Sequence, residues 1–163
     1  MTDKFNNFMD GLEMTYSQKN TIASLLVSSL TLVIYLVSML RMVQTDSFVA
    51  ENVFRLWVWI IAITIVGIIL MTILAHIFSA VVQAIQTQEE PEVDSVEDER
   101  DELIDLKGKR AAHALSSLGV FAAMLAFVFT KDGLVLFSLL ILAGILAQLA
   151  GDVSRLVLYK RGY

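Results

Sequence analysis

The sequence contains no cysteine, and proline is nearly absent, with a single residue in a chain of 163. Without cysteine the chain cannot form a disulfide framework, a thiolate metal site or a cysteine nucleophile. Eight glycines and one proline are too few for a collagen-like or low-complexity protein. Charge is also scarce, because only 18% of the residues are Asp, Glu, Lys or Arg, whereas 56% are hydrophobic. This composition is too apolar for an ordinary soluble domain and indicates a membrane protein.

The motifs of common enzymes are missing as well. The sequence has no Gly-x-Gly-x-x-Gly, Walker A, His-Glu-x-x-His or Gly-x-Ser-x-Gly pattern. The serines of the first and third apolar stretches have no charged base within reach along the sequence. We therefore predict that the protein is not an enzyme, has no catalytic or metal-binding residues and binds no cofactor.

Four apolar stretches are each long enough to cross a bilayer. The first, Thr21–Leu40, has no charged residue and would extend about 30 Å as a helix, the thickness of one bilayer core. The second, from Leu56 to Ile85, is longer than one span, so the sequence predicts a helix that projects from the membrane beyond Ala75. The third (111–129) and fourth (134–151) are separated by so few residues that they must form an antiparallel hairpin, with Gly133 suited to the chain reversal.

These stretches predict an all-α fold, an integral membrane four-helix bundle. Nine of the twelve Lys and Arg residues lie in the two tails and the middle loop, and three lie in the other loops. By the positive-inside rule, the N-terminus, the C-terminus and the middle loop are expected in the cytoplasm. The predicted regions are an amphipathic tail (1–20), spans one and two (21–85), an acidic cytosolic linker and helix (86–110), and spans three and four with a basic tail (111–163).

The segment from Gln86 to Arg110 holds ten of the seventeen acids and four of the twelve bases. This charge argues against nucleic acid as a partner, because binding its backbone needs clustered Lys and Arg. Ser95 is expected to cap a helix, Val96–Arg110, that continues into span three. Its acids could form a solvated face, bridge a divalent cation or dock a basic cytosolic protein. The candidate docking residues are Glu97, Asp98, Asp101, Glu102 and Asp105.

Small and hydroxyl-bearing residues recur at helical spacing within the spans. In span one they form a single stripe, which consists of Ser24, Ser28, Thr31, Tyr35 and Ser38. Such a stripe is either a packing seam whose hydroxyls bond the backbone one turn back, or a polar path through the bilayer. Span three repeats the pattern with Ala112, Ser116, Gly119, Ala123 and Ala126, and span four with Gly144, Ala147 and Gly151. Seams left over after the bundle has formed would produce a homo-oligomer.

Four titratable residues are expected at one depth, near the inner membrane boundary: His76, His113, Asp152 and Arg155. Asp152 and Arg155 are three residues apart, which allows an ion pair on one helix. The four residues could form a hydrated cluster that holds a lipid headgroup, a proton or a metal ion. Alternatively, they are simply polar residues at a boundary where charge costs little. No charged residue falls at mid-membrane depth, which argues against an ion-coupled carrier.

Two short motifs flank the last two spans. Residues 98–104 read Asp-Glu-Arg-Asp-Glu-Leu-Ile and are followed by basic residues, and residues 159–162 read Tyr-Lys-Arg-Gly. In these motifs the second half of the chain resembles a family of small, uncharacterised bacterial and archaeal membrane proteins. That family has an acidic Glu-Arg-Asp-x-x-Ile motif before a late span and an aromatic-basic-basic-Gly terminus, with Arg more often than Lys at the position of Lys160. The resemblance implies four spans and a prokaryotic inner membrane, and it carries over no catalytic or binding residue.

The sequence thus predicts a non-enzymatic, multi-pass protein of the cytoplasmic membrane. Its expected partners are membrane lipid, further copies of itself and a basic cytosolic protein docked on the acidic helix. The alternative is a small oligomeric channel or transporter subunit lined by the hydroxyl stripe of span one.

Overall fold

The computed structural model describes residues 16–87 and 99–161, and within these ranges it describes all side chains except those of residues 16, 75, 76 and 78–87. The described chain forms four helices: α1 (Tyr16–Gln44), α2 (Ala50–Thr87), α3 (Glu99–Thr130) and α4 (Gly133–Lys160). Each is long and apolar enough to cross a membrane. The prediction of an all-α four-helix bundle is confirmed, and the protein is a multi-pass membrane protein.

The two longest helices, α2 and α3, extend well beyond a membrane span, as the sequence predicts. Helix α2 has 38 residues and is about 57 Å long at 1.5 Å per residue, against a bilayer core of about 30 Å. Helix α3 begins at Glu99 and continues without a break to Thr130, so the acidic helix and span three are one element. The predicted cap at Ser95 and the first residues of the acidic helix lie outside the described residues.

Consecutive helices run in opposite directions. Ser24, near the start of α1, bonds to Asp152, near the end of α4, and Tyr35 bonds to Ser138 closer to the other ends of these helices. The start of α1, the start of α3 and the end of α4 therefore lie at one end of the bundle, which we call the termini end. The two short connections, at residues 45–49 and 131–132, lie at the other end, which we call the hairpin end.

Helix α4 is the centre of the arrangement. It packs along α3 and also against α1, but it makes little contact with α2, which packs mainly on α1. Small residues allow the close approach of α3 to α4: Ala123 is fully buried, and a Cβ atom added to Gly119 would collide with that of Ala143. The small-residue stripe predicted for span three therefore contains the residues that face α4.

The hydroxyl stripe of α1 lies in the contact with α2 and α4. Ser28, Thr31 and Tyr35 are buried, and the Tyr35 hydroxyl donates to the Ser138 carbonyl at 2.6 Å. The Thr31 hydroxyl lies 3.4 Å from that of Thr64, which itself bonds one turn back along α2. The stripe is thus packed as a seam. The hydroxyls of Ser24, Thr31 and Tyr35 contact neighbouring helices instead of bonding one turn back along α1.

The connection between α3 and α4 differs from the expected glycine turn. Lys131 adopts the left-handed conformation, with φ of 55°, and Asp132 caps α4 by accepting a 2.8 Å hydrogen bond from the Leu134 amide. Gly133 is already the first residue of α4. The chain therefore reverses at a lysine, because the capping carboxylate fixes where α4 begins.

Candidate functional site

The site is a group of polar side chains at the termini end that joins three helices. We call it the polar network; its members are Ser24, Asp105, Lys109, Gln148, Asp152 and Arg155. Its centre is Asp152, which is 0% exposed. The Ser24 hydroxyl donates to Oδ2 of Asp152 at 2.7 Å, and the Gln148 amide nitrogen lies 3.3 Å from each carboxylate oxygen. The same amide nitrogen lies 3.1 Å from the Ser24 oxygen, so α1 and α4 are joined at this carboxylate.

Arg155 connects the buried carboxylate to α3. Its Nη1 donates to Oδ1 of Asp152 at 2.8 Å, and its Nη2 lies 2.9 Å from Oδ1 of Asp105. The second oxygen of Asp105 pairs with Lys109 at 2.6 Å. The planar guanidinium can serve two carboxylates at once because its donors form a rigid fork. The network therefore extends from the protein interior, at Asp152, to an exposed ammonium on α3.

A glycine makes room for this arginine. A Cβ atom added to Gly108 would lie 2.5 Å from Cγ and 2.8 Å from Nε of Arg155. One turn further into the bundle, a Cβ atom on Gly151 would lie 3.1 Å from that of Ala112. These small residues bring the axes of α3 and α4 close enough for Arg155 to reach Asp105.

The structure brings together two of the four residues predicted to share a depth. Asp152 and Arg155 form the predicted ion pair between positions three apart. His113 is exposed on α3, one position beyond Ala112, which faces α4, and it is not a member of the polar network. The side chain of His76 lies outside the described residues. A single cluster of all four residues therefore stays a prediction.

The acids predicted to dock a partner occupy different positions on α3. Asp101 is only 8% exposed and shares a helix face with the buried Ile104 and Gly108, and Asp105 is held in the polar network. Glu102 is exposed and so is Glu99, the first residue of the helix. Glu97 and Asp98 lie outside the described residues. Only part of the predicted acidic set therefore faces away from the bundle.

Among the partners of Asp152 in the polar network, sequence reasoning missed Ser24. Gln148 precedes Asp152 by four residues, a spacing that places the two side chains on one helix face. Ser24 had no such local signal, because its contact depends on how α1 packs against α4.

Two further features of the described residues bear on ligand binding. No group of three His, Asp or Glu side chains within these residues is placed to hold a metal ion. At the hairpin end, an open apolar groove of about 440 Å³ lies between α2 and α4. Its wall includes Phe54 and Phe137, whose ring centroids are 4.7 Å apart.

Comparisons with protein-family models, curated proteins and solved structures found no match for the chain. The resemblance to the small prokaryotic membrane family therefore stays a prediction.

Proposed function

We propose that the protein is a non-enzymatic interaction module of the cytoplasmic membrane, which self-associates and docks a basic cytosolic protein at its termini end. In this proposal the termini end faces the cytoplasm, and the acids at and before the start of α3 form the docking surface. The protein acts by holding a partner at the membrane, without carrying out a reaction.

The observation that carries the proposal is the fixed position of residues 99–110 of α3, which we call the α3 extension. Eight of its twelve residues are ionisable, so it lies outside the hydrocarbon core. It is nevertheless held on α4, because Ile104 is buried and Asp105 is paired with Arg155. A partner that binds a rigid element loses less entropy on binding than one that must first order a loop. The α3 extension therefore suits docking.

The distribution of acids supports a basic partner. The bundle itself engages Asp105 and buries most of Asp101, whereas Glu99 and Glu102 are exposed. Directly upstream in the sequence are six more acids: Glu89, Glu90, Glu92, Asp94, Glu97 and Asp98. A dense negative segment attracts basic surfaces and raises the rate of their association.

Neutralising the six upstream acids tests this proposal without substituting any described residue of α3. Each Glu is replaced by Gln and each Asp by Asn, and a photo-crosslinking residue is placed at position 99 in intact cells. We expect a discrete adduct with a basic protein, which is lost in the neutralised variant and weakened by salt in isolated membranes. The matched control neutralises Asp46 and Glu51 at the hairpin end and keeps the adduct. An adduct that survives neutralisation, or none at all, would refute docking through these acids.

A channel is the competing function, and the structure gives it no specific support because Ser28 and Thr31 are buried against neighbouring helices. Reconstituted vesicles separate the two functions. Ion or solute flux that is lost when Ser28 and Thr31 are replaced by Leu would show that the protein is a channel and would overturn the docking proposal. Absence of flux under imposed gradients would refute the channel function.

A further inference from the structure

We propose that the face of α3 opposite α4 is the self-association surface, and that its occupant is α3 of a second copy in parallel orientation. The inference rests on the self-association proposed above and names the surface that performs it. Two copies inserted in one membrane with the same topology necessarily present their α3 helices in parallel.

The spacing of exposed residues along α3 supports this assignment. Residues on this face recur alternately three and four positions apart, and we call them the outer stripe: Leu103, Leu106, Arg110, His113, Ser117, Val120 and Met124. All are exposed in the single chain. An alternation of three and four is the repeat that keeps two parallel helices in contact over many turns. The outer stripe is thus a continuous seam from the α3 extension into the span.

Lipid cannot cover the first part of this seam. Leu103 and Leu106 are 52% and 45% exposed, and they lie in the α3 extension, whose charge density keeps it outside the hydrocarbon core. These two apolar side chains on one face of α3 are available for contact with a second copy. Helix α2 differs, because its described exposed large apolar residues, such as Ile65, Ile69 and Ile73, lie within its membrane span, where lipid covers them, with the single exception of Ile77.

The charges beside the seam are complementary for two parallel copies. When Leu103 and Leu106 occupy the seam, Glu102 lies on one edge and Lys107 on the other. In a parallel pair of helices, a residue on one edge of the seam lies close to the residue five positions later on the facing edge of the other helix. Glu102 of each copy therefore lies close to Lys107 of the other copy. Twofold symmetry gives this ion pair twice. Glu99 and the upstream acids remain available to the docked partner.

The remaining stripe residues are compatible with the same pairing. Ser117 has a small side chain and allows close approach of two helices inside the bilayer. Arg110 introduces a like charge across the seam at the membrane surface. Its long side chain can turn towards anionic headgroups, which lowers this repulsion.

Cysteine crosslinking in native membranes tests the assignment, and the chain has no cysteine of its own to interfere. The variants L103C and L106C are compared with L74C on α2, a residue that is 57% exposed. We expect L103C and L106C to form disulfide-linked dimers under mild oxidation, and L74C to stay monomeric. Dimers from L74C without dimers from the α3 variants would refute this surface and leave self-association intact. Monomers in all three variants, together with a monomeric mass from a gentle detergent extract, would refute self-association itself.

Charge exchange provides the second test. The substitution Glu102→Lys replaces two attractive pairs by two repulsive ones, so we expect about tenfold weaker dimerisation. Adding Lys107→Glu to the same chain restores complementary charges and should restore the dimer. An unchanged dimer in the single variant, or failure of the double variant to recover, would refute the proposed pairing of Glu102 with Lys107.

Discussion

Arg155 on α4 lies directly across from Gly108 on α3, and this pairing determines how the polar network is built. The arginine stem occupies the space that a side chain at position 108 would fill, and its guanidinium then reaches Asp105 and Asp152 on opposite sides. One residue without a side chain thus allows one long side chain to join two helices. The absence of a Cβ atom at position 108 is as important as the charge at position 155.

Substituting Gly108 by Ala should destabilise the bundle. The new Cβ atom would overlap Arg155, and overpacking of this kind costs about 1–3 kcal/mol. Thermal unfolding in detergent, followed by circular dichroism, measures the effect. Gly144→Ala is the matched control, because a Cβ atom there meets nothing within 4 Å and an alanine favours the helix. Equal melting temperatures for the two variants would show that overlap with Arg155 does not destabilise the bundle.

Removing Arg155 alone should lower the free energy of unfolding more than removing both Arg155 and the charge of Asp152. Arg155→Met leaves the buried Asp152 carboxylate without its cation, which costs about 3–5 kcal/mol. Adding Asp152→Asn removes the unpaired charge and keeps a partner for Ser24, so the double variant should regain much of the loss. Denaturant unfolding of the four chains of this cycle gives the coupling energy. A double variant less stable than Arg155→Met would contradict the ion-pair interpretation.

An exposed ion pair provides the reference for that cycle. Arg55 and Glu51 are also one helical turn apart, at 2.7 Å, but both side chains are mostly exposed. Replacing them by Met and Gln should change the unfolding free energy by only about 0.3–0.5 kcal/mol. The contrast isolates the effect of burial from the effect of charge.

Tyr35→Phe should weaken the contact between α1 and α4. The hydroxyl of Tyr35 donates a buried 2.6 Å hydrogen bond to the Ser138 carbonyl, and such bonds between membrane helices contribute about 0.6 kcal/mol on average. We expect a small loss of stability of this size, measured by unfolding in detergent. Thr45→Val, which removes an exposed hydroxyl that bonds within its own turn, is the control and should have a smaller effect. Equal losses in both variants would contradict a contribution from the interhelical bond.

Labelling of single cysteines in intact cells tests the predicted orientation. We expect a membrane-impermeant maleimide to label Asp46→Cys from outside, and to label Glu99→Cys only after the membrane is opened. The physical reason is the excess of Lys and Arg at the termini end. Labelling of position 99 in intact cells would place the acidic segment outside and exclude a cytosolic partner.

Much of the α3–α4 hairpin could be derived from the sequence. The short connection at residues 131–132 fixes the register, so residues equally distant from it lie opposite each other. That rule places Gly151 against Ala112 and Arg155 against Gly108, as the structure has them. It also brings Asp105 within one turn of Arg155, a pairing that the sequence reasoning did not draw.

Other contacts could not be derived in this way. The hydrogen bond from Ser24 to Asp152 depends on α1 packing against α4, and no short connection sets that register. The burial of Asp101 likewise depends on α4 extending beside the α3 extension. The turn at Lys131 replaced the expected glycine turn because the sequence does not show which residue caps α4. Local spacing therefore predicted the spans and the hairpin, whereas the long-range packing required the structure.

Helix α4 follows the other three helices in the chain, yet α1 and α3 both pack against it. During biosynthesis the ribosome therefore delivers Ser24 and Asp105 to the membrane before Asp152 and Arg155 exist. Before α4 arrives, α1 can pack on α2, but α3 lacks its main packing partner, and so does a product that stalls after α3. Such a truncated product is the form that membrane quality control should recognise and degrade first.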